Sequence, residues 1–532
     1  MFENSLRQKR VCLVTIKALA AVAICPTGEP SEASLSHVNE NHIFIIVSAM
    51  LKKLRTWVGG RRPGGPPSLD IPGGVFTSQD ARDFNHRAVL AALEKELVEP
   101  SSVSIDHLTT RIFVEADARQ HLASILKSLL KQNFEVDIFF RHGKVSLRSS
   151  DVLDADRHAK VTAFAAYRRF AIGKRTFPLC RLYACEVILV KEENGWFEPL
   201  RKDAPPSYGK MTERIASLVY PGPIDVVYTW VDGCDPAWIE KKTLAAAHEA
   251  KKFPSTPIRS DRYENPDELR YSIRSVVNYA PWVRNIYIVT DGQVPDWLIP
   301  NDRVRIVDHK AIFPDPSVLP NFNSHAIESA LHRINGLSEI FLYFNDDVFI
   351  NRPISIGQFV APNGILNVFT SKNRIPIGPA EGRVLSSEWG SINISSILRK
   401  IVDKPIIFKL KHVPHVLSRS LMYEFETICS EAFACVRRNR FRSPTDIAPI
   451  IGFQNWAIWR GRAVPHDIDT AYISLTAPDL PEKLSKLGSK CKSLTFCINE
   501  DELKPLLDRE SVAHTIRDKL EQLYPAKAPF ER

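Results

Sequence analysis

Nowhere in its 532 residues does the chain carry the roughly 18 to 20 consecutive apolar residues that a membrane-spanning helix needs. The nearest run, Val11 to Cys25, is broken by Lys17. Arg7, Lys9 and Arg10 precede it as in a short secretory leader, but a lysine inside the apolar part argues against one. Nine cysteines, an odd number in a long chain, do not form a secreted disulfide framework. No CxxC pair occurs, which excludes a zinc ribbon or a thioredoxin motif. The spacings Cys429/Cys435 and Cys491/Cys497 would allow disulfides; buried free thiols are the expectation. GxGxxG and GxxxxGK[ST] are both missing, so neither a dinucleotide Rossmann site nor a P-loop is expected.

What is present is ordinary for a globular protein: 44% hydrophobic and 25% charged residues, with length enough for about two to four domains. The net charge of +9 favours anionic partners, among them nucleotide-sugars, phosphorylated glycans, nucleic acid or an acidic membrane surface. Charge alone does not choose between them, and a mildly basic protein with no such partner is commoner.

Punctuation divides the chain. Met50-Leu-Lys-Lys-Leu-Arg reads as an alternative start site, and residues 59–74, rich in Gly, Pro and Arg, read as a linker. Residues 1–74 are thus a variable segment. Its part 51–66 sets Lys52, Lys53, Arg55, Arg61 and Arg62 beside Leu51, Leu54, Trp57 and Val58, a pattern suited to peripheral contact with acidic lipid. Residues 75–210 read as a small α+β accessory domain. A helix is expected over 117–132 from Leu122, Ile125, Leu129 and Leu130, and strands over 134–140, 144–147 and 182–190. Pro205-Pro206 and Pro221-Gly-Pro223 bracket the junction with residues 222–530.

In that last region strands run into carboxylates. Phe341-Leu-Tyr-Phe-Asn-Asp-Asp-Val-Phe-Ile350 is a buried strand that should reach the carboxyl edge of a parallel sheet. Open α/β sheets bind ligands at that edge. Asn345, Asp346 and Asp347 would present hard oxygens there, suited to Mg²⁺ or Mn²⁺ carrying a phosphate. A plain Asn-Asp-Asp turn in a meander is the competing reading. Ile224 to Gly233 ends in Asp232-Gly233, Asn285 to Gly292 in Asp291-Gly292, and Leu494 to Asp501 in Asn499-Glu500-Asp501. Val304 to Asp308 is a further strand. Asn265, Pro266 and Glu268 spell a capped helix start with Glu268 at the third position, followed by the apolar stripe Leu269, Ile273, Val276 and Val277. Arg270 and Arg274 lie on another face and could hold phosphate, although solvated surface is commoner. A helix over 323–334 puts His325, Glu328 and His332 on one face, without the spacing of a zinc protease. The alternation of strands and helices predicts an α/β sheet with helices on both faces.

Lys409-Leu-Lys-His-Val-Pro-His415 concentrates bases and cations; His412 and His415 can serve near neutral pH, and the lysines can hold phosphate. Arg437, Arg438, Arg440 and Arg442 follow, with Phe441, Phe453, Trp456 and Trp459 interleaved. Guanidiniums suit phosphate. Aromatic interleaving suits nucleic acid, but Trp456 and Trp459 at this spacing are more often core.

Taken together, Ile224-Asp-Val-Val-Tyr-Thr-Trp-Val-Asp-Gly, Glu268-Leu-Arg-Tyr-Ser-Ile-Arg-Ser, Ala280-Pro-Trp-Val-Arg-Asn-Ile-Tyr-Ile-Val-Thr-Asp-Gly-Gln-Val-Pro, Phe344-Asn-Asp-Asp-Val, His412-Val-Pro-His and Phe496-Cys-Ile-Asn resemble the four blocks of the Stealth family. That family contains capsular and exopolysaccharide phosphotransferases and the catalytic subunit of the lysosomal-enzyme N-acetylglucosamine-1-phosphotransferase. The resemblance covers roughly residues 222–502 and does not extend to the first 200 or so. It implies transfer of sugar-1-phosphate from a nucleotide-sugar, commonly UDP-linked, to a glycan hydroxyl. Mg²⁺ or Mn²⁺ would be the cofactor, and the donor would come from the cytoplasm. It further implies Asp232 and Glu268 near the donor, Asp346 and Asp347 in metal binding or catalysis, His412 or His415 as base or phosphate-activating group, and Arg442 on phosphate. Asn499, in the last block, is expected beside the donor. That block usually reads Cys-Leu-Asn-Asp; here Glu500 stands last and Asp501 could take its place. Two other readings remain at this stage: a metal-dependent glycosyltransferase of the GT-A type, and a basic binding module without turnover. Nucleic acid is not an expected partner.

Overall fold

The computed structural model describes residues 69–532 apart from 72–75, 97–100, 105–109, 142, 148–158, 173–174, 177–179, 194–195, 201–206, 209–218, 253–266, 300, 382–384, 489–490 and 500–508. The alternative start at Met50, the basic segment 51–66, Asn265, Pro266, Glu500 and Asp501 lie outside the described residues, as does most of the junction expected near 205–221.

Ser68–Arg532 forms one compact unit. Its first part is a mixed sheet, with Cys185–Glu193, Val161–Tyr167, Glu135–Phe140 and Lys144–Leu147 antiparallel in succession and Thr110–Glu115 parallel to Cys185–Glu193. The helix expected over 117–132 is real from Leu122 to Lys131, entered through a 3₁₀ turn at Ala116–His121. It buries Leu122, Ile125, Leu126, Leu129 and Leu130 on a core shared with the sheet. Phe170, Cys180 and Tyr183 belong instead to the core of the second part, so the two parts are fused through apolar contacts.

The second part is built on five strands: β1 (Ile224–Thr229), β2 (Val283–Thr290), β3 (Val304–Asp308), β4 (Ile340–Asn345) and, later in the chain, His415–Ser418. Their order across the sheet is β3, β2, β1, β4, then His415–Ser418. The first four are parallel and the last runs antiparallel to β4. Val226, Val227 and Tyr228 of β1 and Phe341, Leu342, Tyr343 and Phe344 of β4 are buried, which requires cover on both faces of the sheet. Each such large apolar side chain contributes about 1.5–3 kcal/mol by leaving water. Asp225, the polar exception inside β1, is held at the amino end of the sheet by Arg284 and by the backbone N–H of Ser338 at 2.7 Å. Strand succession reverses at β1: β2 and β3 are added on one side, β4 on the other. The carboxyl ends of β1 and β4 therefore flank a topological switch point, where an open α/β sheet leaves a crevice.

The stretch 341–350 is two strands in two sheets. After the turn at Asp346-Asp347 the chain enters β5 (Val348–Ile350), which pairs antiparallel with Thr495–Asn499, itself parallel to Thr470–Ser474. The helix expected over 323–334 is shorter than its periodicity suggests: α-helical only at Ser324–Glu328, then a 3₁₀ turn at Leu331–Arg333. All seven cysteines among the described residues are free thiols; Cys180, Cys185, Cys429 and Cys497 are buried as expected, whereas Cys435 and Cys491 are half-buried and Cys234 is exposed. Among the described residues no helix is long and apolar enough to cross a membrane.

Candidate active site

A cavity of about 1250 Å³ lies at the carboxyl edge of the central sheet. Its centre is the switch point, where Thr229 of β1 stands in register with Asn345 of β4. The chain must swivel from one sheet into another between Asn345 and Val348, and the swivel turns Asp346 and Asp347 toward the cavity. Asp347 is braced by the neighbouring strand: its Oδ2 accepts from Asn499 Nδ2 at 2.7 Å and from the Cys497 thiol at 3.4 Å, and its carbonyl accepts from Ile498 N at 3.0 Å. Its Oδ1 is buried without a partner. Glu268, on the same cavity, is the first residue of a helix that runs to Tyr279.

These carboxyls disturb one another. Burial first, then Asp346 and Asp347, pushes the Glu268 carboxyl well above its ordinary range. Burial and then Asp347 carry Asp346 up to about 7. Burial also raises Asp347, against the opposing influence of His412, Cys497 and Asn499. Three acids that cannot all ionise comfortably in one pocket are a site short of positive charge.

The same cavity also carries cations and imidazoles. His415 opens its strand opposite Tyr343 of β4; burial, helped by His412, pushes its imidazole down to about 3, and its Nδ1 has no partner. His412 is exposed on the cavity wall with its ring against Tyr472, 5.1 Å between centroids. The Arg442 guanidinium is aimed by the 324–328 helix: Nη2 donates to Ser324 Oγ at 2.5 Å, and Nη1 lies 2.9 and 2.7 Å from the two ring nitrogens of His325. Asn323 caps that helix through His325 N, which fixes the imidazole's place. On the cavity wall, the Tyr343 hydroxyl donates to Asn345 Oδ1 at 2.8 Å and pairs with Thr229 Oγ1 at 3.1 Å. Glu328 lies 3.4 Å from the same hydroxyl, and burial outweighs Arg442 and Tyr343 to raise its carboxyl to about 7.

The fold thus gathers Glu268, Asn345, Asp346, Asp347, His412, His415, Arg442 and Asn499 around one cavity. Asp232 is placed differently. Its neighbours Val231 and Cys234 line the cavity, while its own Oδ1 accepts from Cys234 N at 2.9 Å and Gln293 clamps its backbone. Arg270 and Arg274 are a correction. Arg274 is 2% exposed, and both guanidiniums bind Glu531 at 2.7 Å, with Glu521 also on Arg274. They fasten the end of the chain to the helix and do not reach the cavity. The capped helix start is also corrected: Asp267, in the left-handed region with φ 66°, precedes the helix without a capping bond, so Glu268 begins it. Its carboxyl is on the cavity, where a capping box would have turned it back on the backbone. The arginine run dissolves as well. Arg437 is buried against Glu426 and Ser329, Arg440 donates to the carbonyls of Ser317 and Leu319, and only Arg442 of the four reaches the cavity. Phe453 and Trp456 are core, while Phe441 and Trp459 are half-buried. Thr229, Tyr343 and the cavity role of His325 escaped the sequence reading. The His325/Glu328 face was its one signal, but Tyr343 looks like any core aromatic.

A divalent cation fits this donor set. Asp347 Oδ1 is an orphaned buried carboxylate oxygen beside two further acids, and all the donors are hard oxygens. Among the described residues no group of three or more His, Cys, Asp or Glu side chains is placed to hold a metal ion by itself. Mg²⁺ typically asks for one or two carboxylates and takes its remaining ligands from water and substrate phosphate.

Comparison with known proteins agrees with these motifs. Conserved region 1 of the Stealth proteins matches residues 222–247, conserved region 2 matches 262–368, and conserved region 3 matches 411–456. An exopolysaccharide phosphotransferase of Streptomyces coelicolor is 41% identical over 314 residues, 58% of this chain and 57% of the relative. One from Mycobacterium leprae is 34% identical over 312 residues, 58% of this chain and 57% of that one. The chain thus spans little more than half the length of these two curated relatives. A capsular polysaccharide phosphotransferase of Aeromonas hydrophila is 35% identical over 308 residues, 55% of this chain and 83% of the relative. With region matches that carry the cavity's Glu268, Asp346, Asp347, His412, His415 and Arg442, the chain belongs to the Stealth family.

Proposed function

We propose that this chain transfers sugar-1-phosphate from a nucleotide-sugar, UDP-linked, to a glycan hydroxyl in exopolysaccharide or capsule synthesis. The carrying observation is that Glu268, Asp346 and Asp347 line one cavity at the switch point together with Arg442, His412 and His415. The acceptor oxygen attacks the phosphorus next to the sugar. A new P–O bond forms, the bond to the bridging oxygen breaks, and nucleoside monophosphate leaves. A divalent cation held by Asp346 and Asp347 supplies charge neutralisation on the donor's phosphates when bound. Arg442, already oriented by Ser324, offers its guanidinium to the transferring phosphoryl oxygens. His412 suits the base: it is solvent-accessible on the cavity wall, where it can reach the acceptor hydroxyl, and it lies near enough to Asp347 to act on that carboxyl. His415, held neutral by burial, suits an N–H donor to phosphate better than a base. Asn499 keeps Asp347 in place from behind. Donor supplied from the cytoplasm and a peripheral attachment through residues 51–66 complete the proposal.

The test is product chemistry. Incubation with a panel of UDP-sugars, a glycan acceptor and Mg²⁺ should release UMP and leave the sugar in a phosphodiester, its anomeric configuration unchanged because no bond to C1 breaks. Release of UDP with a glycosidic product would move the enzyme to the glycosyltransferase reading. Binding without any released nucleotide would favour a non-catalytic module.

A further inference from the structure

A second surface lies beside the cavity and takes no part in the proposed chemistry. It is built from the strand Leu366–Arg374, the strand Phe408–Leu410 and the end of the helix Ser386–Val402. We propose that this face docks the chain on a bilayer rich in acidic lipid, separately from residues 51–66.

Local structure brings the three pieces together. Arg374 pairs with Phe408 across the antiparallel strands, which sets their side chains on one face. Ile375 N donates to Ile407 O at 2.9 Å. Ser395 ties the helix to the same segment: its Oγ accepts from Ile406 N at 3.1 Å and donates to Ile406 O at 3.2 Å. Past the helix the chain turns at Asp403, in the left-handed region with φ 54°, and returns through Lys404 to Phe408. Ile375, Ile406 and Leu410 are buried and anchor the protrusion.

Its outward side chains are of two kinds. Ile377 is 95% exposed and Ile407 52%, with Ile401 and Phe408 also exposed. Single exposed apolar residues are ordinary, but four on adjoining segments mark a contact surface. Among them Lys372, Arg374, Arg399, Lys400 and Lys404 are exposed, against two exposed acids, Glu381 and Asp403. Among the described residues none of these five cations is in an ion pair. The helix dipole accounts for Arg399 and Lys400, which stand in the last turn. It does not account for Lys372, Arg374 and Lys404, nor for the isoleucines. An acidic polymer would engage the cations and leave the apolar side chains in water. A second copy would set cation against cation. An acidic bilayer takes both, with phosphates at headgroup level and hydrocarbon beneath. Lys409 and Leu410, which follow Phe408, line the cavity, so docking would hold that rim at the bilayer surface.

This surface does not depend on the nucleotide-sugar reading. The full chain is sedimented with vesicles of equimolar phosphatidylcholine and phosphatidylglycerol, and with vesicles of phosphatidylcholine alone. Binding should require the acidic lipid and weaken as salt rises. Ile377→Ser with Ile407→Ser and Phe408→Ser should lower affinity at least about tenfold at every salt concentration, with the melting temperature unchanged. Lys372→Glu with Arg374→Glu should lower it at least about tenfold at low salt only. Hydrogen exchange on the wild-type chain separates this face from residues 51–66, and it decides the matter if a variant does not fold. Exchange over 370–381 and 399–408 should slow on acidic vesicles. Slowing confined to other residues, or wild-type affinity in both folded variants, overturns the surface. So does the same slowing without lipid, whether on raising the protein concentration (a second copy) or on adding an acidic polysaccharide. Failure of the wild-type chain to bind either vesicle overturns it as well.

Discussion

At the scale of single residues, the cavity is a set of carboxyls held in a state they would leave if they could. Asp346 sits near 7 against an ordinary carboxylate value of 3.8, so the folded state binds its proton more tightly than the unfolded chain. Its contribution is therefore present at low pH and is lost as pH rises from about 4 through about 7. Asp346→Asn should remove that loss. In EDTA above pH 7 the variant should melt a few degrees higher than wild type, while turnover falls at least about a hundredfold. A melting temperature equal to wild type at pH 8 would show that the carboxyl is not crowded. At the proposed cation site the same proton would compete with Mg²⁺: apparent Mg²⁺ affinity, followed by calorimetry, should weaken below about pH 7 by up to about tenfold per unit. A flat profile between pH 6 and 8 would remove Asp346 from the cation's ligands. The two histidines separate in the same way. His415 is pushed to about 3, below its unfolded value of 6.5, so stability drawn from its neutral form declines as pH falls from 6.5 toward 3. His415→Gln should lose less melting temperature than wild type between pH 6.5 and 4. His412→Ala should cost about two to four orders of magnitude in kcat. If His415→Gln costs as much and His412→Ala little, their roles are exchanged.

At the scale of elements, one helix and two short strands carry the site. The helix Glu268–Tyr279 offers Glu268 at its first residue and, two and six residues on, is tied to Glu531 through Arg270 and Arg274. Removing Arg274 leaves the Glu531 carboxylate, whose side chain is 0% exposed, deprived of its main partner. Loss of one member of such a pair costs about 3–5 kcal/mol. Arg274→Met should therefore lower the denaturant midpoint by that equivalent without changing UDP affinity in the folded protein. A tenfold loss of affinity would mean that the arginine reaches the donor after all. The sequence put Arg270 and Arg274 on phosphate because two guanidiniums four residues apart look alike whether their partner is a ligand or a distant glutamate.

For the whole molecule, the decisive event is the reversal of strand order at β1. It leaves the carboxyl ends of β1 and β4 side by side and forces Asp346-Asp347 to bridge two sheets. It also lets a strand from near residue 497 stand behind Asp347, more than a hundred residues away in sequence. Ligand occupancy should register globally: UDP and Mg²⁺ at about a hundred times their dissociation constants should stabilise the fold by about 2.7 kcal/mol.

Local pattern was enough for the α/β class, for β1 to β4, and for the carboxylates at strand ends, because strand periodicity and the switch from apolar to acidic residues are written within ten residues. The motifs likewise named the ionisable side chains Glu268, Asp346, Asp347, His412, His415 and Arg442 of the cavity, since chemistry restricts which residue types can serve there. Partnership is another matter. Arg437 and Arg442 are five residues apart in one basic run, yet one is neutralised by Glu426 and the other faces the cavity. Glu268 serves the site because the helix begins at it and not two residues earlier. Tyr343 joins Asn345 to Thr229 only because β1 and β4 are neighbours. Hydrogen bonds and ion pairs act over about 3 Å and are blind to sequence distance, so the tertiary structure alone decides which charge meets ligand and which meets protein.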